Sequence, residues 1–287
     1  GLLIPVVIIF MRENMNTRVR GRKDLENVTV PFIGEIPLFT RKKKGIFGKK
    51  PQEVKAVVVK EGSRDIINEA FRVLRTNLEF MTGKDKTSNV IIVTSFNPGS
   101  GKSFLTMNIA VSFAIKGKKV LVIDGDLRHG SASSYIDSPT KGLSDYLGGR
   151  IDNLNEIIVT NPKQKYLDIL PVGTIPPNPT ELLFDDRLKQ VIDTVREQYE
   201  YVLIDCPPIE LVADTQIIEK LGDRTIFVVR AGLLERSMLA ELEKIYGEKK
   251  YKNMSLILNG TEGSGGRYGY RYGYRYGYHY GYGSGYH

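Results

Sequence analysis

A glycine-rich turn between two apolar runs places the strongest limit on how this chain folds. Residues 90–103 read VIIVTSFNPGSGKS, a β-branched segment followed at once by glycines, lysine and serine. Gly99 and Gly101 let backbone amides curl around a polyphosphate, and the following helix adds its positive amino end. Lys102 is placed to reach the β- and γ-phosphates, and the Ser103 hydroxyl to ligate Mg²⁺. The pattern predicts a nucleoside triphosphate site on a strand–loop–helix unit.

The loop departs from the usual G-x₄-G-K-[ST] pattern at one position, because Phe96 stands where the first glycine belongs. We expect this to affect how the start of the loop packs and to leave the phosphate contacts intact. The residues predicted to surround the nucleotide in the loop are Asn97, Gly99, Ser100, Gly101, Lys102 and Ser103.

Two further apolar runs end in carboxylates. VLVI at 120–123 is followed by Asp124 and Asp126, and YVLI at 201–204 is followed by Asp205. Ligands of open parallel sheets lie beyond the carboxyl ends of the strands, so we expect these acids near the phosphates. A strand-end aspartate taken alone is as often a cap for the next turn. Together with Lys102, the set predicts that Asp124 takes a proton from a hydroxyl, while Asp126 and Asp205 hold Mg²⁺ with Ser103.

The remaining pattern predicts a three-layer α/β domain of the P-loop NTPase type, with a mostly parallel sheet and short connections. Ser63 is a candidate N-cap for a first helix over residues 63–81, which Gly83 ends. Further strands are predicted at 166–170, 201–204, 225–229 and 255–258, and helices at 102–116, 180–199, 214–220 and 237–246.

Composition narrows the class of protein. The single cysteine, Cys206, excludes a disulfide framework and a four-cysteine zinc site, and an inert buried thiol is its expected state. Most of the net charge of +8 comes from residues 11–50, where eleven Lys and Arg face four acids. No basic stripe with interleaved aromatics crosses the rest of the chain, so we expect no nucleic-acid partner.

The chain opens on ten uncharged residues, GLLIPVVIIF, too few to span a bilayer, which takes about 20. They are either a buried strand or the cytoplasmic end of a membrane helix. The basic residues that follow favour the membrane interpretation, because such residues collect on the cytoplasmic side. Residues 41–50 then lie against anionic lipid, or form a solvated linker.

At the carboxyl end, residues 263–287 repeat Arg-Tyr-Gly-Tyr and contain no aliphatic residue. Such a tail builds no core, and we predict that it is disordered. Its tyrosines suit either stacking on RNA and phase separation or service as flexible phosphate acceptors. They are Tyr268, Tyr270, Tyr272, Tyr274, Tyr276, Tyr278, Tyr280, Tyr282 and Tyr286.

The ordered set PGSGKS at 98–103, VLVIDGDLR at 120–128 and YVLIDCPP at 201–208 resembles the Walker A, A′ and B motifs of bacterial tyrosine kinases. These are cytoplasmic domains of membrane proteins that control capsule and exopolysaccharide export. The related cell-division and partition ATPases carry a second lysine early in the loop, which this chain lacks. The resemblance implies ATP and Mg²⁺ as cofactors, phosphorylation of the tail tyrosines in a neighbouring subunit, the inner membrane as location and a tyrosine phosphatase as partner.

The resemblance also gives a role to a charged helix motif and to one asparagine. Glu69, Arg72 and Arg75 follow a Glu-x-x-Arg-x-x-Arg pattern and are predicted to share one helical face, opposite much of the apolar stripe. Spacing alone favours a solvated face, whereas in the family this motif joins subunits into a ring, for which an octamer is implied. Asn259 corresponds to an adenine contact in relatives, or it is a turn residue before Gly260.

The sequence thus predicts four segments: the end of a membrane helix at 1–11, a basic juxtamembrane segment at 12–62, a kinase domain at 63–262 and the tyrosine tail at 263–287. The expected activity is ATP-dependent tyrosine autophosphorylation. The alternatives are a membrane-associated ATPase switch that controls assembly without kinase activity, and a non-enzymatic tyrosine-rich interaction protein.

Overall fold

The structure is a computed structural model that describes residues 17–39, 56–83, 89–209 and 214–262. The predicted membrane end at 1–11, the basic run at 41–50 and the tyrosine tail lie outside these residues. Within the described part of the chain, no helix has the length and apolar character needed to cross a bilayer.

Eight strands form one sheet in the order β1-β8-β7-β2-β6-β3-β5-β4. All neighbours are parallel except β4 and β5, which are antiparallel. The strands are β1 Phe32–Pro37, β2 Val90–Thr94, β3 Val120–Asp124, β4 Val159–Thr160, β5 Leu167–Leu170, β6 Tyr201–Asp205, β7 Arg224–Arg230 and β8 Met254–Thr261.

Seven α-helices connect the strands that the structure describes. They are α1 Ile66–Thr82, α2 Lys102–Ala114, α3 Leu143–Leu147, α4 Pro179–Leu183, α5 Asp186–Gln198, α6 Asp214–Glu219 and α7 Met238–Gly247. Short 3-10 turns lie at Arg22–Leu25, Ser133–Ile136 and Leu154–Glu156. The predicted P-loop NTPase fold with a mostly parallel sheet is confirmed.

The core has three layers because the central strands bury side chains on both faces. Ile91 and Val93 of β2 face the cluster that includes α1 and α2, whereas Val90 and Ile92 face the cluster that includes α5. A third cluster lies under β7 and β8, where Phe227 and the helix α7 meet. A strand covered on both sides reads as an unbroken apolar run, which is why the sequence identified these strands.

The edge strand β1 was missed, because its sequence FIGEIP lies in the segment that charge assigns to the juxtamembrane region. It pairs with β8 in parallel, and Ile33 and Ile36 are buried. Residues further upstream also join the fold, since the Val19 amide donates to the Leu234 carbonyl at 2.8 Å. Residues 17–37 therefore contribute to the sheet and its third cluster.

Two predicted helix boundaries were wrong. The N-cap of α1 is Asp65, whose carboxylate accepts from the Asn68 amide at 2.9 Å, and the Ser63 hydroxyl donates to Asp65 instead. The run predicted as one helix over 180–199 is divided into α4 and α5, because Asp185 turns out of the helix and caps α5. A side chain that accepts from the first free amides stabilises a helix start.

The prediction that Glu69, Arg72 and Arg75 share one face opposite the apolar stripe is wrong for Arg75. Glu69 and Arg72 pair with each other near solvent, but Arg75 is only 7% exposed. Its Nη1 donates to the Ser112 carbonyl of α2 at 2.8 Å. Arg75 therefore belongs to the α1–α2 packing, and the surface part of the motif is Glu69 with Arg72.

Candidate functional site

The glycine-rich loop has the geometry of an anion-binding turn. Gly99 has φ 73° and Gly101 has φ 87°, conformations that side chains rarely allow. The Asn97 carbonyl accepts hydrogen bonds from the hydroxyls of Ser95 and Ser100, both at 2.8 Å. The helix α2 begins at the next residue, Lys102, so its free amides open into the turn. The backbone is thus preshaped for a phosphate before any ligand binds.

Asn259 holds this loop from the end of β8. Its side-chain amide donates to the Ser100 carbonyl at 2.9 Å, and the residue is 1% exposed. A Cβ on Gly101 would lie 2.2 Å from the same amide nitrogen, so a side chain there would displace Asn259. The structure thus gives Asn259 a contact with the loop, which neither sequence interpretation included.

Phe96 lies outside the nucleotide cleft. Its ring is 2% exposed and meets the ring of Phe227 edge to face, with centroids 4.8 Å apart. Both belong to the cluster between β7, β8 and α7. The bulky residue therefore fixes the start of the loop to the core, and the phosphate-facing part of the loop is unaffected.

Asp124 and Asp205 lie side by side, because β3 and β6 pair in parallel with these two residues in register. Asp124 is fully buried, and its Oδ2 accepts from the Ser133 amide at 2.6 Å and the Ser133 hydroxyl at 2.7 Å. Its Oδ1 has no hydrogen-bond partner among the described residues. Burial raises the pKa of Asp124, and the hydrogen bonds from Ser133 oppose that shift. The charge of Asp126 adds to the rise, whereas its backbone amide lowers the pKa.

Asp205 is 1% exposed, and within the described residues neither of its carboxylate oxygens has a hydrogen-bond partner by distance and angle. Burial and the neighbouring charge of Asp124 raise its pKa, while Ser103 and Lys102 lower it. A buried carboxylate without a well-formed hydrogen bond costs folding free energy unless a cation binds there.

The two carboxylate oxygens of Asp205 fit a divalent cation next to the phosphate loop. The described residues contain no group of three His, Cys, Asp or Glu side chains suited to a metal. Mg²⁺ in nucleotide sites is held by only one or two carboxylates, together with waters and substrate phosphates. Ser103, Asp126 and Asp205 are the residues that would hold the ion.

Asp126 is held in place from its own turn and lies one residue beyond Gly125. Its Oδ1 accepts from the amides of Arg128 and His129, each at 3.2 Å. Arg128 in turn bonds Asp214 of α6 at 3.0 Å and Thr180 of α4 at 2.9 Å. Helices distant in sequence thus fix the turn that carries Asp126.

An open cleft of about 810 Å³, its mouth included, lies over the loop. It is lined by Leu38, Phe39, Gly99, Gly101, Lys102, Ser103, Phe104, Ser131, Tyr135, Arg230 and Asn259. Sequence reasoning missed Ser133 and Arg230, since neither lies in a motif. The sequence signals were weak: Ser133 follows a strand-end aspartate, and Arg230 is the last residue of a strand.

Known proteins resemble this chain in sequence and in fold. Residues 88–231 match a family model described as an AAA domain. Tyrosine-protein kinase YwqD of Bacillus subtilis (strain 168) is 35% identical over 216 residues, which make up 75% of this chain and 90% of YwqD. The chain belongs to the bacterial tyrosine-kinase family. Its membership agrees with the resemblance that the three motifs suggested.

Other bacterial tyrosine kinases match along most of the chain. A tyrosine-protein kinase named for the cps region of Klebsiella pneumoniae is 31% identical over 266 residues, 91% of this chain and 36% of that protein. The chain therefore spans about a third of the length of that relative. The solved kinase domain of Escherichia coli tyrosine kinase ETK superposes with a TM-score of 0.73 at 28% identity, covering 93% of this chain and all of that domain.

A more distant structure shares the P-loop core. The septum site-determining protein MinD of Pyrococcus horikoshii, solved with Mg-ADP, gives a TM-score of 0.51 at 25% identity. The match covers 60% of this chain and 70% of MinD. The fold of the core is thus common to this chain and to MinD.

Proposed function

We propose that this chain is the catalytic domain of an ATP- and Mg²⁺-dependent protein-tyrosine kinase that phosphorylates its own tail. The observation that carries the proposal is the pair of buried strand-end carboxylates, Asp124 and Asp205, beside a preshaped phosphate loop. Asp205 can bind a cation, and Asp124 can accept the proton of a hydroxyl. Membership in the bacterial tyrosine-kinase family supports this division of roles.

In the proposed reaction, the loop amides and Lys102 bind the β- and γ-phosphates and hold the γ-phosphorus in line with the acceptor. Mg²⁺, held by Ser103, Asp126 and Asp205, would neutralise charge on the phosphate oxygens. The tyrosine oxygen forms a bond to the γ-phosphorus while the bond to the ADP oxygen breaks. Asp124 takes the phenolic proton on Oδ1, since Oδ2 is held by Ser133.

We assign the acceptors to the tyrosines of residues 263–287. Each phosphate adds about −1.5 to −2 charges, so a few of them outweigh the three arginines of the tail. The unmodified tail docks in the site of a neighbouring subunit, and phosphorylation repels it from the acidic centre. Tyr135 in the cleft and Tyr146 are the acceptors to examine if the tail is not used.

Purified protein incubated with labelled ATP tests the activity. Phosphotyrosine that disappears in Lys102→Met supports the kinase. Deletion of residues 263–287 should remove most of the phosphotyrosine and leave ATP binding unchanged. Release of inorganic phosphate without any phosphotyrosine would overturn the proposal and favour an ATPase switch, a function for which the MinD-like core is suited.

We also propose that α1 joins subunits into a homo-oligomer at the cytoplasmic face of the inner membrane. Besides Glu69 and Arg72, its outer side exposes Ile66, Val73 and Phe80 at seven-residue spacing, with exposed fractions of 67%, 55% and 88%. Apolar side chains repeated along an exposed helix face are typical of interaction surfaces. We extend the proposal to the control of capsule or exopolysaccharide polymerisation and export, which the relative named for the cps region supports.

Sedimentation velocity tests the assembly with Arg72→Ala, which should shift the protein toward monomer. Lys189→Ala is the matched control, because Lys189 also forms an exposed ion pair within one helix. An unchanged oligomer in Arg72→Ala would remove this motif from the interface. Flotation with vesicles of anionic or neutral lipid tests the basic segment, and equal binding to both would argue against an electrostatic membrane contact.

A further inference from the structure

Arg230 is the last residue of β7 and lies on the wall of the nucleotide cleft. It pairs in register with Asn259, the residue that holds the phosphate loop. The side chain is partly buried and crosses above Gly260, where a Cβ would lie 2.5 Å from the guanidinium carbon. A Cβ on Gly101 would lie 3.8 Å from its Nη1. Two glycines thus leave the space through which the guanidinium reaches the loop.

The Arg230 guanidinium has no acidic partner within the described part of the chain. Among residues 17–39, 56–83, 89–209 and 214–262, the Arg230 guanidinium forms no ion pair and no hydrogen bond. Two other partly buried arginines of the domain are paired, Arg128 with Asp214 and Arg196 with Asp223. A partly desolvated guanidinium beside a helix amino end raises the local positive potential, which favours an anionic ligand.

The sheet order tells which part of a nucleotide Arg230 would meet. The strand β2 lies between β7 on one side and β6, then β3, on the other. Asp205 and Asp124 at the ends of β6 and β3 mark the γ-phosphate end, because the cation and the acceptor hydroxyl must be there. The nucleoside end therefore points the other way, toward β7 and β8.

We propose that Arg230 binds the α-phosphate of the nucleotide with charge-assisted hydrogen bonds and thereby distinguishes nucleotides from shorter polyphosphates. The inference rests on the proposed ATP site and adds a residue to it. A guanidinium offers two parallel donors to phosphate oxygens, a contact that an ammonium group does not reproduce. Arg230 touches the ligand and leaves proton transfer to other residues.

Affinities of Arg230→Gln for Mg-ATP, Mg-ADP and Mg-pyrophosphate, measured by calorimetry on the full chain, test the proposal. We expect Mg-ATP and Mg-ADP to bind about tenfold more weakly and Mg-pyrophosphate to keep the wild-type affinity. Arg224→Gln is the matched control, because Arg224 begins the same strand at the edge away from the cleft. It should bind all three ligands as the wild type does.

Four outcomes separate the possibilities. Wild-type affinity of Arg230→Gln for Mg-ATP would overturn the inference, and so would an equal loss for pyrophosphate, since Arg230 would then act through the loop. If Arg230→Gln does not fold, Arg230→Lys replaces it, because lysine keeps the charge and lacks the two parallel donors. The loss of affinity in Arg230→Lys should then be larger for Mg-ATP than for Mg-pyrophosphate. A wild-type protein that binds no Mg-ATP would instead refute the proposed function.

Discussion

The carboxylate of Asp124 is fixed by Ser133, whose backbone amide and hydroxyl donate to the same oxygen at 2.6 and 2.7 Å. The Ser133 hydroxyl oxygen also accepts from the Val172 amide at 2.9 Å. One serine thus aims the proposed proton acceptor and ties it to the loop after β5. The other Asp124 oxygen is left for the chemistry.

Ser133→Ala should reduce phosphotyrosine formation far more than ATP affinity, because Asp124 loses an orienting hydrogen bond and the loop glycines are untouched. The buried Val172 amide loses its acceptor, so the free energy of unfolding should fall by about 1–3 kcal/mol. Kinase rate, ATP affinity and denaturant unfolding measure the three quantities. Ser134→Ala is the control. Equal losses of rate and affinity would contradict the orienting role.

Asp205→Asn should stabilise the metal-free protein and abolish the response to Mg²⁺. The native carboxylate is buried without hydrogen bonds among the described residues, and the charge is costly until a cation is present. We expect the free energy of unfolding to rise by about 1 kcal/mol or more at neutral pH. Thermal unfolding with and without Mg-ATP measures both effects.

Asp223→Asn is the control for that experiment, because the Asp223 carboxylate pairs with Arg196 and accepts from the Val90 amide. Its replacement should lower the melting temperature. If Asp205→Asn also lowers the melting temperature, the Asp205 carboxylate stabilises the metal-free fold, which contradicts the prediction.

Asn259→Ala should lower the affinities for Mg-ATP and Mg-pyrophosphate to the same extent, because Asn259 holds the Ser100 carbonyl and thereby the whole loop. If Asn259 instead contacts adenine, as the sequence suggested, the substitution should lower the affinity for Mg-ATP alone. Calorimetry with the two ligands distinguishes these roles. Together with Arg230→Gln, it separates loop positioning from contact with the nucleotide.

Arg75→Ala should lower the free energy of unfolding by about 1–3 kcal/mol, since the buried Ser112 carbonyl and hydroxyl lose their donor. Arg72→Ala should leave stability nearly unchanged, because its pair with Glu69 is near solvent. Urea unfolding of both variants measures the difference. A destabilised Arg72→Ala with an unaffected Arg75→Ala would reverse the assignment of the two arginines.

Asp24 should make part of the stability depend on pH. Its partial burial acts to raise its pKa, but hydrogen bonds from the Arg20 and Gly21 amides and the charge of Arg236 lower it overall. A lowered pKa means that the stabilisation is present above the ordinary aspartate pKa, about 3.9, and is lost as the pH falls through the folded value. The melting temperature of Asp24→Asn should therefore lie below wild type at pH 7, and the difference should shrink as the pH falls below the ordinary aspartate pKa. A difference that stays constant as the pH is lowered, or grows, would contradict the titration.

The sequence by itself determined the strand–loop–helix of residues 90–114, the acids after β3 and β6, and the three-layer fold. These features are local: an apolar run buried on both faces, glycines in a turn and polar residues at its end are all visible within a dozen neighbouring residues. Two helix predictions needed correction: the start of α1 moved from Ser63 to the cap at Asp65, and Asp185 divided one predicted helix in two. In both places the aspartate side chain accepts from the free amides of the helix start.

Only the tertiary structure decided which distant residues meet. Ser133 holding Asp124, Asn259 holding the loop, Arg75 turning into α2 and Arg230 reaching the cleft all join segments that no spacing rule connects. The strand β1 was hidden for the same reason, because an edge strand beside a charged segment shows its burial only when β8 is next to it. Periodicity reports which face of an element is buried, whereas the partner across the interface follows from chain topology and packing.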